Sequence, residues 1–142
     1  MALSDAVRVA RSGLEMQRAR MEIISSNLAN AQTTRTAEGG PYRRRLPIIE
    51  AAPLESHSFS ELLDRNLQGV EVVDVEADQR PPVLRFEPGH PDADAQGYVA
   101  YPNVNPVEEM VDMISAVRSY EANVKVVKAV GEMHKSALLI SR

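Results

Sequence analysis

The sequence predicts a mainly α chain with a small β module: long N- and C-terminal helices forming an antiparallel coiled coil, and a short irregular β-rich segment between them. Three observations predict it. All nine prolines fall between Pro41 and Pro106, and a proline in a helix interior costs about 3 kcal/mol, so both ends are uninterrupted helix material. Apolar residues recur at both ends with the three-and-four spacing of a helix face. Aromatic residues make up 4% of the chain, too few for the middle to build a large core of its own. The expected division is 1–34, 35–104 and 105–142.

In the first segment Ser4 is the expected N-cap with Asp5 in the first turn, and the helix runs to about residue 31 before Thr33 and Thr34 weaken it. Its stripe is Val7, Ala10, Leu14, Gln17, Met21, Ile24, Leu28 and Ala31. Intervals of three and four alternate without a break, a strict heptad whose one polar member is Gln17, which is the pattern of a coiled-coil seam. Arg8, Arg11, Glu15, Arg18, Arg20 and Glu22 cover the remaining surface as an ordinary solvated face.

The middle changes character. Thr36-Ala37-Glu38-Gly39-Gly40-Pro41 is a turn or flexible loop, and 42–51 follows as a strand that Pro47 confines to an edge or splits. Residues 58–63 fit a short helix under a serine cap. Strands are expected at 70–75 and at 83–86, after Gly69 and after Pro81-Pro82. In the last segment Asn105 is a favourable N-cap, Pro106 suits the first helical turn, and Glu108, Glu109 and Asp112 set negative charge against the positive end of the dipole. The stripe there is Val107, Met110, Ile114, Val117, Tyr120, Val124, Val127, Gly131, His134 and Leu138. Pairing the two stripes in opposite directions puts Leu14 near Leu138.

Composition excludes several classes of function. A formal net charge of −4 lacks the electrostatic footprint of a nucleic-acid binder. The absence of cysteine removes disulfides and thiolate metal sites. No apolar run is long enough for a membrane span, and the first residues lack the apolar block of a cleaved secretory signal. His57, His90 and His134 have no metal-ligand spacing, and neither a phosphate loop nor a nucleophile elbow occurs. Asp92-Ala93-Asp94-Ala95-Gln96-Gly97 partly matches a calcium loop, but the closing bidentate Glu is missing and Pro88 and Pro91 prevent an entering helix, so a capped turn is expected. Arg43, Arg44 and Arg45 are expected to be solvated, with contact to an acidic neighbour as the sharper reading. No cofactor, metal or small-molecule substrate is expected, and the chain is not read as an enzyme.

Ser12-Gly13-Leu14, then Ser26-Asn27-Leu28-Ala29-Asn30-Ala31 and Thr33-Thr34, resembles the N-terminal signature of the bacterial flagellar rod and hook axial family. Gly40-Pro41-Tyr42-Arg43, Phe86-Glu87-Pro88-Gly89-His90-Pro91, Ala93-Asp94, Gly97-Tyr98-Val99, Pro102-Asn103-Val104, Glu109-Met110-Val111 and Arg118-Ser119-Tyr120-Glu121-Ala122-Asn123 resemble the proximal rod proteins of the FlgC type. The match covers nearly the whole chain and is weakest at about 52–68. Where the larger family commonly has Gly-Phe after the paired threonines, this chain has Arg35-Thr36, which together with its shortness favours a proximal rod subunit over distal rod or hook.

The resemblance implies a non-catalytic structural subunit of the basal body. It implies helical polymerisation into a drive shaft that crosses the periplasm and transmits motor torque. Export would be by the flagellar type III apparatus with an uncleaved N-terminal region. Implied partners are other copies of the chain, other proximal and distal rod proteins and the export apparatus. The competing reading is a soluble coiled-coil adaptor or export chaperone, although a chaperone would need no proline-rich β module between its helices. Met16, Ile23, Met113, Val126, Val130 and Met133 lie off the main stripes, so each helix shows more apolar surface than one partner covers, and the terminal segments are expected to order only on assembly.

Overall fold

The computed structural model describes residues 2–53 and 68–140. Two long helices pack against each other; the described residues form two separate two-stranded antiparallel sheets, of which the one built from 45–53 and 68–77 packs on the first helix. The short helix expected at 58–63 falls outside the described residues.

Helix α1 (Ala2–Ala29) has 28 residues and spans about 42 Å at 1.5 Å per residue. It is already helical at Ala2, so Ser4 lies within the first turn rather than capping it. The helix is closed by Asn30, whose backbone N–H (3.1 Å) and side-chain Nδ2 (2.9 Å) both donate to the Ser26 carbonyl. In the loop that follows, Gly39 (φ 89°) and Gly40 (φ 75°) take the left-handed backbone that a Cβ disfavours. Tyr42 N–H then donates to Thr33 O at 3.0 Å and fixes where the chain leaves.

Strand β1 (Arg45–Pro53) pairs antiparallel with β2 (Gln68–Ala77). Pro47 is tolerated within β1 because both strands of a two-stranded sheet are edges. The register pairs Ile48 with Asp74 and Ile49 with Val72, leaving Val73 as a bulge. β2 approaches α1, where Val70 N–H donates to Ser12 Oγ at 3.2 Å, so the helix supplies an acceptor to an open sheet edge.

The second sheet is β3 (Val83–Phe86) with β4 (Tyr98–Tyr101). β4 is an addition to the expected elements, since Tyr98-Val99-Ala100-Tyr101 shows no polar and apolar alternation and follows no proline pair as β3 does. It carries Val99, which is fully buried. The partial calcium-loop match is a capped turn: Asp94 Oδ1 accepts from Gln96 N (2.8 Å) and Tyr98 N (2.9 Å). Gly97 beside it has φ 85°, and a Cβ there would lie 2.9 Å from the Phe86 ring.

Helix α2 (Pro106–Ile140) has 35 residues, about 52 Å. Its expected cap is present: Asn105 Oδ1 accepts from Val107 N–H at 3.1 Å, and Asn105 O from Glu109 N–H at 3.1 Å.

The register and the seam both differ from expectation. Gly13 of α1 meets Asn123, Arg20 meets Asp112, and Asn27 meets Glu109, so numbers fall on α2 as they rise on α1. Leu14 therefore sits near the level of Asn123 and not of Leu138, and residues 131–140 are exposed on every side. The buried residues are Ala10, Gly13, Gln17, Ile24 and Asn27 on α1 and Glu109 and Ala116 on α2. Of the stripe expected on α2, Val107, Met110, Ile114, Val117 and Leu138 are exposed, while Tyr120, Val124 and Val127 are half-buried. On α1, Ala10, Gln17 and Ile24 of the heptad face inward as expected, whereas Val7, Leu14, Met21 and Leu28 are only half-buried.

The reason is steric and electrostatic. Small side chains let the backbones approach, and Gly13 is packed so closely that a Cβ would lie 2.7 Å from Asn123 Nδ2. The apolar surface of α2 is wider than a seam, and its polar contacts decide which side turns inward. Gly13→Val is expected to push the Asn123 side chain out of its place on α1 at about 1 kcal/mol, which a fall in the thermal midpoint of the soluble chain would register.

Candidate functional site

The most organised group of side chains is a buried polar junction where α1, the entry to β1 and the start of α2 converge. Asn27 and Glu109 are each 1% exposed. Asn27 Nδ2 donates to Arg45 O (2.9 Å) and Glu109 Oε2 (3.1 Å), and its Oδ1 accepts from Arg45 N (2.8 Å) and Tyr42 OH (2.9 Å). The amide thus has both of its ends satisfied, as a buried polar group requires. Ser26 Oγ lies 3.3 Å from the same Tyr42 hydroxyl. On the far side of Glu109, Arg44 Nε donates to Oε1, and Arg44 Nη2 reaches Asp112 Oδ2 at 3.6 Å. Asp112 is shared with Arg20 of α1 at 3.2 Å. Each ion in the cluster has an opposite partner and hydrogen bonds, the condition under which buried charge is tolerated.

The sequence reading found half of this junction. Ser26, Asn27 and Tyr42 belong to the signature stretches, and Asn30 of the same run closes α1. Arg44 corrects the expectation of a solvated triplet: its side chain is 15% exposed and paired with acids of its own chain, while Arg43 and Arg45 are exposed. The helix dipole accounted for Glu109 and Asp112, and Glu109 also lies in a signature stretch, but neither reading pointed to a buried ion pair. No periodicity marks a buried ion pair between segments 65 residues apart.

The other signature residues are scattered. Leu28 is half-buried and Ala29 exposed; Pro88 and Gly89 are exposed; Pro102 is buried and Asn103 half-buried. Gly97 forms the turn before β4, and Tyr98 packs edge-on against Phe86 with ring centroids 5.4 Å apart. Arg118 is exposed, Tyr120 is half-buried, and Asn123 lies on Gly13. Three titrating groups are displaced from their ordinary range: the hydrogen bonds between Asp78 and Arg80 hold the Asp78 carboxyl down and push the Arg80 guanidinium up, and donation to Glu87 pushes the Tyr101 hydroxyl up. Asp78 and Tyr101 are half-buried. Among the described residues no group of His, Cys, Asp and Glu is placed to hold a metal ion, and no helix is long and apolar enough to cross a membrane.

The second feature is a surface. Val107, Met110, Val111, Ile114 and Val117 are all exposed, Val107 at 63% and Ile114 at 55%, on the side of α2 turned away from Ala116. Large apolar residues clustered in this way mark an interaction site.

Comparison with known proteins places both features in context. Residues 7–35 match the family described as flagella basal body rod protein, and residues 95–139 match flagellar basal body rod FlgEFG protein C-terminal. Asn27 lies in the first stretch, and Glu109 with the open face of α2 in the second. The chain is 46% identical to the flagellar basal-body rod protein FlgC of Borreliella burgdorferi, over 99% of this chain and 98% of that one. It is 40% identical to FlgC of Bacillus subtilis, over 96% of each, and 40% identical to FlgC of Escherichia coli, over the full length of both.

A fold of two packed helices locked by a polar junction, with relatives of this kind, is that of a non-enzymatic structural component of the flagellar basal-body rod. The chain belongs to the FlgC family of flagellar basal-body rod proteins.

Proposed function

We propose that the chain polymerises helically as a subunit of the proximal rod, the shaft that crosses the periplasm and carries motor torque, after export by the flagellar type III apparatus. Its terminal segments, 1–34 and 105–142, pair through their helices as an antiparallel coiled coil, and 35–104 packs further out against neighbours. The neighbours are other copies of the chain and other proximal and distal rod proteins.

The observation that carries this reading is the open apolar face of α2, which the chain's own packing leaves in water. Five large apolar side chains on one arc are stable in solution only at a cost, and burial against another subunit returns roughly 25 cal/mol for each Å² covered. Val107, Met110, Ile114 and Val117 thereby act in assembly, while Val7, Leu14, Met21, Ile24, Leu28, Tyr120, Val124, Val127 and Leu138 pack the helices of one subunit or the next. The order of the three helix contacts supports the antiparallel arrangement. The exposed stretch 131–140 supports ordering on assembly, at least for that end of α2.

Imaging of purified basal bodies tests the reading. Density for this chain is expected in a helical array at the cytoplasmic end of the rod, with the apolar arc of α2 against a neighbour. The chain found only in the soluble fraction, or with that arc facing solvent in the rod, would refute it.

A further inference from the structure

We propose that the distal outward face of α2 docks onto the β1–β2 sheet of a second copy of this chain through opposite charge, a contact that rests on the self-assembly reading above. Every lysine of the chain, Lys125, Lys128 and Lys135, lies in the second half of α2. With Arg118 they recur at intervals of seven, three and seven residues, which gathers them on the arc facing away from Ala116 and Asn123. All four are exposed, and none is in an ion pair among the described residues. Glu121 and Glu132 share the arc, so four cations against two carboxylates leave an excess of two positive charges.

The sheet supplies the complement. Cross-strand partners lie on the same face, and the register pairs Leu46 with Glu76, Ile48 with Asp74 and Glu50 with Glu71. Residues 46, 48 and 50 alternate to one side, so that face gathers Glu50, Glu71, Asp74 and Glu76. The bulge at Val73 is what brings Asp74 round, because without the extra residue it would point away from Glu71. All four carboxylates are exposed and outside every ion pair of the described residues. Glu50 directly opposite Glu71 is a destabilising pair in an isolated sheet.

An approaching cationic helix relieves that repulsion, whereas nothing of the same chain is positioned to do so among the described residues. The two patches are different surfaces of one molecule. Each copy therefore offers one to the copy before and one to the copy after, a heterologous contact that runs on into an open helix when it does not close.

Charge reversal and its repair test the contact. Glu71→Lys with Asp74→Lys, and separately Lys125→Glu with Lys128→Glu, are each expected to lower the chain's content in purified basal bodies roughly tenfold or more. The thermal midpoint of the soluble chain should not fall, because all four positions are exposed and Glu71→Lys replaces the repulsion from Glu50 by an attraction. A chain carrying all four reversals restores opposite charge between copies and should recover most of the lost content. If a reversal lowers the midpoint, the neutral pair Glu71→Gln with Asp74→Asn takes its place, with incorporation expected between wild type and reversal. Full incorporation of either reversed pair or of the neutral pair, or no recovery with all four, overturns the contact. Wild type run alongside keeps the two readings apart: its absence from basal bodies defeats self-assembly as a whole, whereas its presence with indifferent variants defeats only this docking.

Discussion

Ile114→Asp is expected to leave the isolated chain folded and to keep it out of the rod. Ile114 is 55% exposed, so in the monomer its carboxylate stays hydrated and the change in stability should fall within about 0.5 kcal/mol. In the rod the same position is proposed to be covered, and burying an uncompensated carboxylate costs several kcal/mol. Each 1.4 kcal/mol is a factor of ten in the assembly equilibrium, so incorporation should fall by about a hundredfold or more. Leu28→Asp is the informative contrast. Leu28 is half-buried in the chain itself, and this substitution should lower the thermal midpoint as well as block assembly. Three measurements on each variant separate the cases: thermal midpoint, basal-body content and spread in soft agar. Cells carrying Ile114→Asp that swim with normally built rods would place Ile114 in solvent even in the assembly, and the apolar arc would lose its role.

That contrast marks where sequence reading ran out. Proline placement and apolar spacing were enough to set the helices, and Pro106–Ile140 begins one residue after the cap that Asn105 announced. Val83–Phe86 was legible from its two preceding prolines. The rotation of α2 was not, because its apolar residues cover more than one side and periodicity cannot say which side turns inward. A buried acid settled that question. Glu109 faces α1 because Asn27 and Arg44 satisfy it there, and its rotation turns Val107, Met110 and Ile114 outward. The seam of α1 was legible at Ala10, Gln17 and Ile24 and illegible at Gly13 and Asn27, since a rule that seeks large apolar residues passes over a glycine and an amide. The signature residues had flagged both positions by resemblance, without a physical role. Packing against Asn123 and the four hydrogen bonds of the Asn27 amide supply that role.

Arg44→Met is expected to be the most destabilising single change in the polar junction. It leaves the Glu109 carboxylate, 1% exposed, with Asn27 Nδ2 as its remaining partner among the described contacts. Removing one member of a buried ion pair typically costs 3–5 kcal/mol, because the other charge is stranded out of water. Glu109→Gln should cost less. The glutamine amide stays close to Asn27, and Arg44 keeps its 3.6 Å approach to Asp112 and a partial route to solvent. Combining the two replaces a stranded ion by a neutral amide, so the double variant should be more stable than Arg44→Met alone. The cycle therefore gives a coupling energy of the sign expected for neighbours. Urea unfolding of the four chains measures it, and hydrogen exchange locates it: protection at 24–28 and 110–116 should fall in Arg44→Met, while 131–140, which is exposed throughout, should exchange rapidly in all four. A loss below about 1 kcal/mol in Arg44→Met would mean that water reaches Glu109 and that the junction is a surface ion pair, worth little. The rotation of α2 would then need another cause, and the apolar arc would have no fixed direction to face.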